Sequence, residues 1–343
     1  MYVVLIHCLE ESGIETNAIV SHRPTWASFA DLAVGLFILL SGYCLTLPST
    51  APGSSGTLTM SYGAFLLRRA RRILPPYFAA LGISMALCLA VRHKPDTWFW
   101  SNSHHVLNPG VLLSHLTMTF NLLKGWVFAV DYPMWSVATE WQIYFVFPLL
   151  LWMRARGGSL RMMNVALLVT AVVTIGSAAI NGGVNSARLD FLSLFAVGVN
   201  LAFVGEADRA KWSRRLLLAS IPVAAAGIYT HIFWDRPPTM HLLTATLGAG
   251  IIFECGRPDS WLRGLLQSRP LTFVGAFSYS LYLIHAPMLG LLRVFMPNVV
   301  FVGLPAALVA GYLFFLAFER PLLGSRRPTV IPVPVDEPVY AER

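Results

Sequence analysis

Apolar residues along this chain gather in long runs, near 27–47, 74–92, 136–153, 161–180, 189–205, 215–234, 239–255, 271–295 and 298–318. Charged residues mostly mark the ends of these runs. A bilayer core of about 30 Å needs about 20 consecutive apolar residues in a helix, so each run predicts one membrane span. Residues 1–9 (MYVVLIHCL) read as the latter half of a further span whose beginning is missing, because nine residues at about 1.5 Å each cover less than half a bilayer. They lack the basic start and the A-x-A site of a signal peptide. The stretch 109–128 is apolar but interrupted by Pro109, Gly110, His115, Asn121 and Lys124, and reads as interfacial or re-entrant. The pattern predicts an all-α, polytopic transmembrane bundle of about ten membrane helices, the first one truncated.

Composition strengthens that reading. Of 343 residues, 56% are apolar and 12% charged, against roughly 25% charged in a soluble protein, and the mean hydropathy is +0.62. This excludes a disordered chain. Cys8, Cys44, Cys88 and Cys255 form no CxxC pair, which leaves no disulfide framework or zinc site, and no metal is expected. The net charge of +8 would ordinarily suggest nucleic acid or an anionic surface, but its placement gives topology. Eighteen of the 25 basic residues fall in the loops and tail of one side, among them Arg68, Arg69, Arg71 and Arg72, and seven on the other. By the positive-inside rule both termini are cytoplasmic, and no nucleic-acid partner is called for. The membrane domain is placed at 1–322. Residues 323–343 form a Pro-rich cytoplasmic tail expected to be disordered. No repeat of 20–50 residues is visible.

Ionisable groups inside a membrane span are costly, and each is a candidate for function. His7 lies in the first half-span, followed by Glu10 and Glu11. Glu140 lies one turn into the run that opens at Trp135, with Tyr144 one turn further, and His285 stands mid-run in SYSLYLIHAP behind Tyr282. An imidazole is the usual side chain for removing a hydroxyl proton near neutral pH. Glu140, reaching His7 from another helix, would orient it. The competing reading makes His7 a hydrogen-bonded scaffold residue, and a packed Tyr/His face accounts for His285. Arg68, Arg69, Arg71 and Arg72 stand at a cytoplasmic helix entry, where guanidinium forks suit the phosphates of an acyl-CoA; juxtamembrane charge against anionic lipid is the alternative. No GxxxxGK[ST] or GxGxxG motif is present.

Several segments, in order, resemble the acyltransferase family 3 of integral membrane O-acyltransferases, over roughly 1–322. VVLIHC (3–8) resembles the end of the family's first helix, with its histidine. DLAVGLFILLSGYCLT (31–46) resembles its apolar run ending in Ser-Gly-aromatic, and FLLRRARRILPPYF (65–78) its Arg-x-x-Arg-x-x-Pro entry. MWSVATEWQIYFVFPLLL (134–151) resembles its Trp-Ser-x-x-x-Glu-x-x-x-Tyr signature. ARLDFLSLFAVGVNLAF (187–203) resembles its Arg-x-x-x-phenylalanine-glycine helix. FSYSLYLIHAPML (277–289) resembles its Ser-Tyr-Ser-x-Tyr-x-x-His segment, and FERP (318–321) its closing motif.

The resemblance implies ten helices in a bacterial cytoplasmic membrane and transfer of an acyl group, commonly acetyl from acetyl-CoA, to a hydroxyl of a sugar, a cell-envelope glycan or a glycosylated small molecule. No cofactor is held permanently; the acyl-CoA is the donor substrate. Carried over, His7 is the catalytic histidine, as base or as acyl carrier, and Glu140 a supporting acid. Arg68, Arg69, Arg71 and Arg72 receive the donor's phosphates, while Trp135, Tyr144, Tyr282 and His285 contact substrate. The family also places an arginine about three turns before that histidine, where this sequence has not begun, so a start further upstream is expected. Acceptor choice is expected from 10–26 and 93–135, whose Trp98, Trp100, Trp126 and Tyr132 either stack on sugar rings or anchor at the interface. A carrier or flippase without bond chemistry, and an inactive relative, are the rival readings.

Overall fold

The computed structural model describes residues 1–14, 29–91, 94–102, 106–123, 125–181, 188, 190–231 and 238–323. The expected disordered tail from 324 onward, His93, His104, His105, Lys124 and most of the 10–26 loop lie outside the described residues. Every regular element among those described is helical.

Thirteen α-helices follow in order: α1 (Tyr2–Glu11), α2 (Ala30–Thr46), α3 (Tyr62–Ala90), α4 (Trp98–Asn102), α5 (Pro109–Leu116), α6 (Trp135–Asn181), α7 (Phe191–Ala202), α8 (Glu206–His231), α9 (Pro238–Gly256), α10 (Trp261–Leu266), α11 (Arg269–Ala276), α12 (Ser278–Phe295) and α13 (Val300–Phe314). Among the described residues three stretches are long and apolar enough to cross a membrane, Ala30–Thr50, Tyr62–Ala90 and Val300–Leu322, and a fourth if α11 and α12, bent by 71°, count as one. Every apolar run of the sequence lies on a helix.

Three boundaries depart from the sequence pattern. The run at 74–92 belongs to a helix that begins twelve residues earlier, at a Ser61 cap whose hydroxyl accepts from the Ala64 amide, so the four arginines ride on helix and not on a loop. The runs at 136–153 and 161–180 are two helices that abut with no loop between them: Gly158 breaks the helical backbone, its φ of 77° lying in the left-handed region that glycine adopts without strain. The run at 271–295 breaks between Ala276 and Ser278.

The larger core gathers side chains of α2, α3, α6, α7 and the outer segment around Tyr77, Phe147 and Phe195. The smaller holds Val4 and Cys8 of α1 against Leu281, Leu289 and Ala307, so α1 packs into the groove between α12 and α13. Phe37, Leu40, Leu149, Ile221, Phe301 and Leu313 face outward, as apolar residues do where the surroundings are lipid.

Candidate active site

His7 sits on the inner face of α1, its side chain 12% exposed. Across the groove stands His285 of α12, fully buried. The two rings lie parallel with centroids 5.0 Å apart, and His7 Nδ1 meets His285 Nε2 at 2.7 Å. Tyr132 presents its ring edge-on to His7 at 4.7 Å, and Glu10 Oε2 lies 3.9 Å from His7 Nε2. The partner of His7 is therefore His285, and not Glu140 as the sequence reading had it. The two histidines are 278 residues apart, and no local spacing signals the pairing.

Glu140 anchors a second cluster. Ser41 Oγ of α2 donates to its Oε1 at 2.8 Å, and Tyr144, one helical turn on, donates to the same oxygen. Ser41 and Tyr144 also touch, at 3.2 Å. The Ser-Gly-aromatic motif and the Trp-Ser-Glu-Tyr signature thus form one buried site. Beside it, α3 contributes Arg68, Arg69 and Arg72 to a cavity of about 350 Å³, lined also by Cys44, Phe65 and Met60. Phe65 of that wall packs edge-on to Tyr144, 6.2 Å between centroids. No carboxylate among the described residues forms an ion pair with any of these three guanidiniums. Glu140 lies near enough to Arg69 and Arg72 to interact with them electrostatically, and three guanidiniums against that one carboxylate still suit an anion with several acceptor oxygens. Arg71 is not among the residues lining the cavity.

Between the two clusters runs a polar bridge. Ser136 Oγ, one turn before Glu140, meets the Tyr282 hydroxyl at 2.7 Å; Tyr282 donates to the Pro133 carbonyl at 2.9 Å and stands three residues before His285. Trp135 is not near these groups. It stacks on Phe191 at 5.9 Å, beneath the Arg188 guanidinium, which pairs with Asp31 at 2.8 Å and Asp190 at 3.1 Å. This cluster ties the outer ends of α2, α6 and α7 together.

The described residues between α3 and α6 pack into the core. Trp100, expected as a sugar platform or interfacial anchor, is a core residue, 1% exposed, whose Nε1 donates to the Gly290 carbonyl at 2.9 Å. Trp126 covers Gly110, and the Trp98 side chain lies outside the described residues. Asp131, at the end of this segment, is buried and accepts from Ser84 at 2.9 Å, its other oxygen unpartnered. Burial pushes its carboxyl up to about 7, with the Ser84 hydrogen bond opposing. The folded chain therefore keeps this proton to a higher pH than the unfolded chain, whose carboxyl titrates near 4. The stability it contributes is full below about pH 4 and is lost as pH rises through about 7. Asp131→Asn, which still offers Ser84 an acceptor, flattens this decline: thermal midpoints at pH 5 and pH 8 move closer together than in the unaltered chain. An unchanged spread between the two midpoints contradicts the assignment.

Comparison with known proteins places the chain among acyltransferases. Peptidoglycan O-acetyltransferase OatA of Listeria monocytogenes is 24% identical over 331 residues, a match covering 87% of this chain and 52% of that protein. The protein of Bacillus subtilis named "Putative peptidoglycan O-acetyltransferase YrhL" is 25% identical over 291 residues, covering 77% and 45%. The chain spans about half the length of these curated relatives. No solved structure matches it. Residues 1–320 match the family model described as an acyltransferase domain, and the chain belongs to that family, acyltransferase 3.

Proposed function

We propose that the protein moves an acyl group, acetyl in the first instance, from an acyl-CoA to a hydroxyl of a cell-envelope glycan, with peptidoglycan as the acceptor class suggested by the names of its relatives. The observation that carries this reading is the cavity where Arg68, Arg69 and Arg72 converge, three guanidiniums with Glu140 as the carboxylate that acts on two of them, an excess of positive charge that suits phosphate and that a carrier of neutral glycans does not explain. The excess of basic residues on that side supports a cytoplasmic cavity mouth, both termini in the cytoplasm and ten helices in a bacterial cytoplasmic membrane.

In this reading the arginines hold the donor's phosphates, and Glu140, with Ser41 and Tyr144, forms the polar floor of the donor site. Glu140 is a positioning residue there. His7 accepts the proton of the acceptor hydroxyl as its oxygen attacks the thioester carbonyl; the C–S bond breaks, and the departing thiolate takes the proton from His7. The products are an O-acyl ester and free CoA.

Full-length protein in proteoliposomes, given radiolabelled acetyl-CoA and soluble peptidoglycan fragments, yields an alkali-labile acetyl ester on the glycan. No ester from any short acyl-CoA overturns the proposal. Charge-assisted hydrogen bonds contribute about 1.5–3 kcal/mol each, so Arg68→Gln/Arg69→Gln/Arg72→Gln raises the KM for acetyl-CoA at least tenfold. An unchanged KM removes the arginines from the donor site.

A further inference from the structure

The contact between the two histidines fixes where each proton sits. His285 Nδ1 lies 2.7 Å from the Tyr282 carbonyl oxygen and 3.2 Å from that of Leu281. Carbonyl oxygens only accept, so His285 Nδ1 carries the hydrogen and donates to its own helix. Its other nitrogen, Nε2, faces His7 Nδ1 at 2.7 Å. A hydrogen bond of that length needs one hydrogen between the two atoms. If it belonged to His285, that ring would be a doubly protonated cation, fully buried, with two carbonyls and a neutral imidazole as its partners and no carboxylate. Burial of such an uncompensated charge costs several kcal/mol. If neither atom carried it, two lone pairs would face each other at 2.7 Å.

From this we propose that His285 is a positioning residue that holds His7 in the Nδ1–H tautomer, making Nε2 of His7 the nitrogen that accepts the substrate's proton. The backbone of α12 sets the tautomer of His285, and His285 sets that of His7, so the orientation originates in two peptide carbonyls. A buried carboxylate does this work in the familiar nucleophile–base–orienter arrangement; here a neutral ring does it. The free nitrogen, Nε2, opens toward Glu10, whose carboxylate at 3.9 Å is beyond hydrogen-bond distance and within reach of a positive charge on the ring. When Nε2 takes a proton, Nδ1–H remains on His285 and nothing else moves. The opposite tautomer would leave a hydrogen on the working nitrogen and no base.

The inference rests on the proposed role of His7 only for its catalytic consequence, because the tautomer is observable without turnover. The test uses full-length protein in lipid bilayers with ring-¹⁵N-labelled histidine, the His7 signals identified by difference against His7→Asn. The expected spectrum has His7 Nδ1 protonated and Nε2 unprotonated. In His285→Gln the side-chain carbonyl still accepts from Nδ1–H, and the tautomer holds; in His285→Ala it does not. Loss of an orienting partner reduces turnover by 10- to 100-fold in metal-site second shells and about 10⁴-fold where the tautomer is wrong, so kcat falls about 10²-fold in His285→Ala with KM for acetyl-CoA within about twofold. His285→Gln recovers most of that loss. A protonated Nε2 on His7 in the unaltered protein, or a His7 tautomer that survives in His285→Ala, overturns the inference. Should His7→Asn still transfer acetyl groups, the base assignment fails and the tautomer result stands or falls separately.

Discussion

His7→Ala lowers acetyl transfer by about 10³-fold, within the range attributed to a single general base. His7 is the one imidazole near the proposed reaction that keeps a partly open face: His285 is sealed by α12, whereas the His7 side chain is 12% exposed. Its Nε2 lies 3.9 Å from the Glu10 carboxylate, and Tyr132 presents its ring edge-on to the imidazole. Alanine also deprives His285 Nε2 of its partner, and a buried acceptor left unsatisfied costs about 1–3 kcal/mol. Chain stability therefore falls alongside activity. His7→Asn separates the two effects: its amide hydrogen replaces Nδ1–H toward His285, while no basic nitrogen remains. The expected result is near-normal thermal stability in detergent with transfer as low as in His7→Ala. Equal transfer by His7→Ala and the unaltered protein sinks the role of His7.

The parts of this architecture that were legible in the sequence are those set by composition along a single run. Each apolar stretch became a helix because its length and hydropathy suffice. Arg68, Arg69, Arg71 and Arg72 were legible as a cluster because they stand together in one short segment, and three of them line one cavity. Partners were not legible. A helix apolar on both faces carries no stripe to show which side packs, so nothing near position 7 indicates position 285, and nothing near Glu140 indicates Ser41, 99 residues away. The boundary between two runs was legible but its length was not: RARGGSLR at 154–161 reads as a loop, yet the two helices abut at a single non-helical residue, Gly158 at φ 77°. Trp100 reads as an interfacial aromatic, but its indole N–H reaches a carbonyl of α12, which lets the whole ring enter the core. Nor was it legible that α2 and α7 meet through small residues, Gly42 and Gly198.

Gly198→Ala is the most damaging single-methyl change expected in the fold. In α2 and α7 these two glycines bring backbone against backbone. A Cβ on Gly198 would lie 2.0 Å from the Leu39 carbonyl oxygen and 2.9 Å from the Tyr43 amide nitrogen; one on Gly42 would lie 2.3 Å from the Phe195 carbonyl oxygen. Where lipid removes the hydrophobic drive between helices, association relies on such close approach and the van der Waals contact it permits. No rotamer relieves a clash with main chain, so α7 must move off α2 by an ångström or more. Phe195, buried against Phe147 at 5.5 Å, and Ile38 and Leu39 then lose packing at once. Overpacking costs about 1–3 kcal/mol where side chains yield, and here they are not what blocks, so about 3 kcal/mol or more is expected. Activity falls too, because Ser41 adjoins Gly42 and its 2.8 Å bond to Glu140 spans from α2 to α6. Gly82 of α3 provides the control: it is helical with nothing within 4 Å of an added Cβ, so Gly82→Ala is neutral or gains up to about 1 kcal/mol from helix propensity. Thermal aggregation midpoints of the detergent-solubilised variants check this: Gly198→Ala aggregates far below the unaltered chain, and Gly82→Ala at or above it. Equal midpoints for the two variants show that α2 and α7 are not held by this glycine contact.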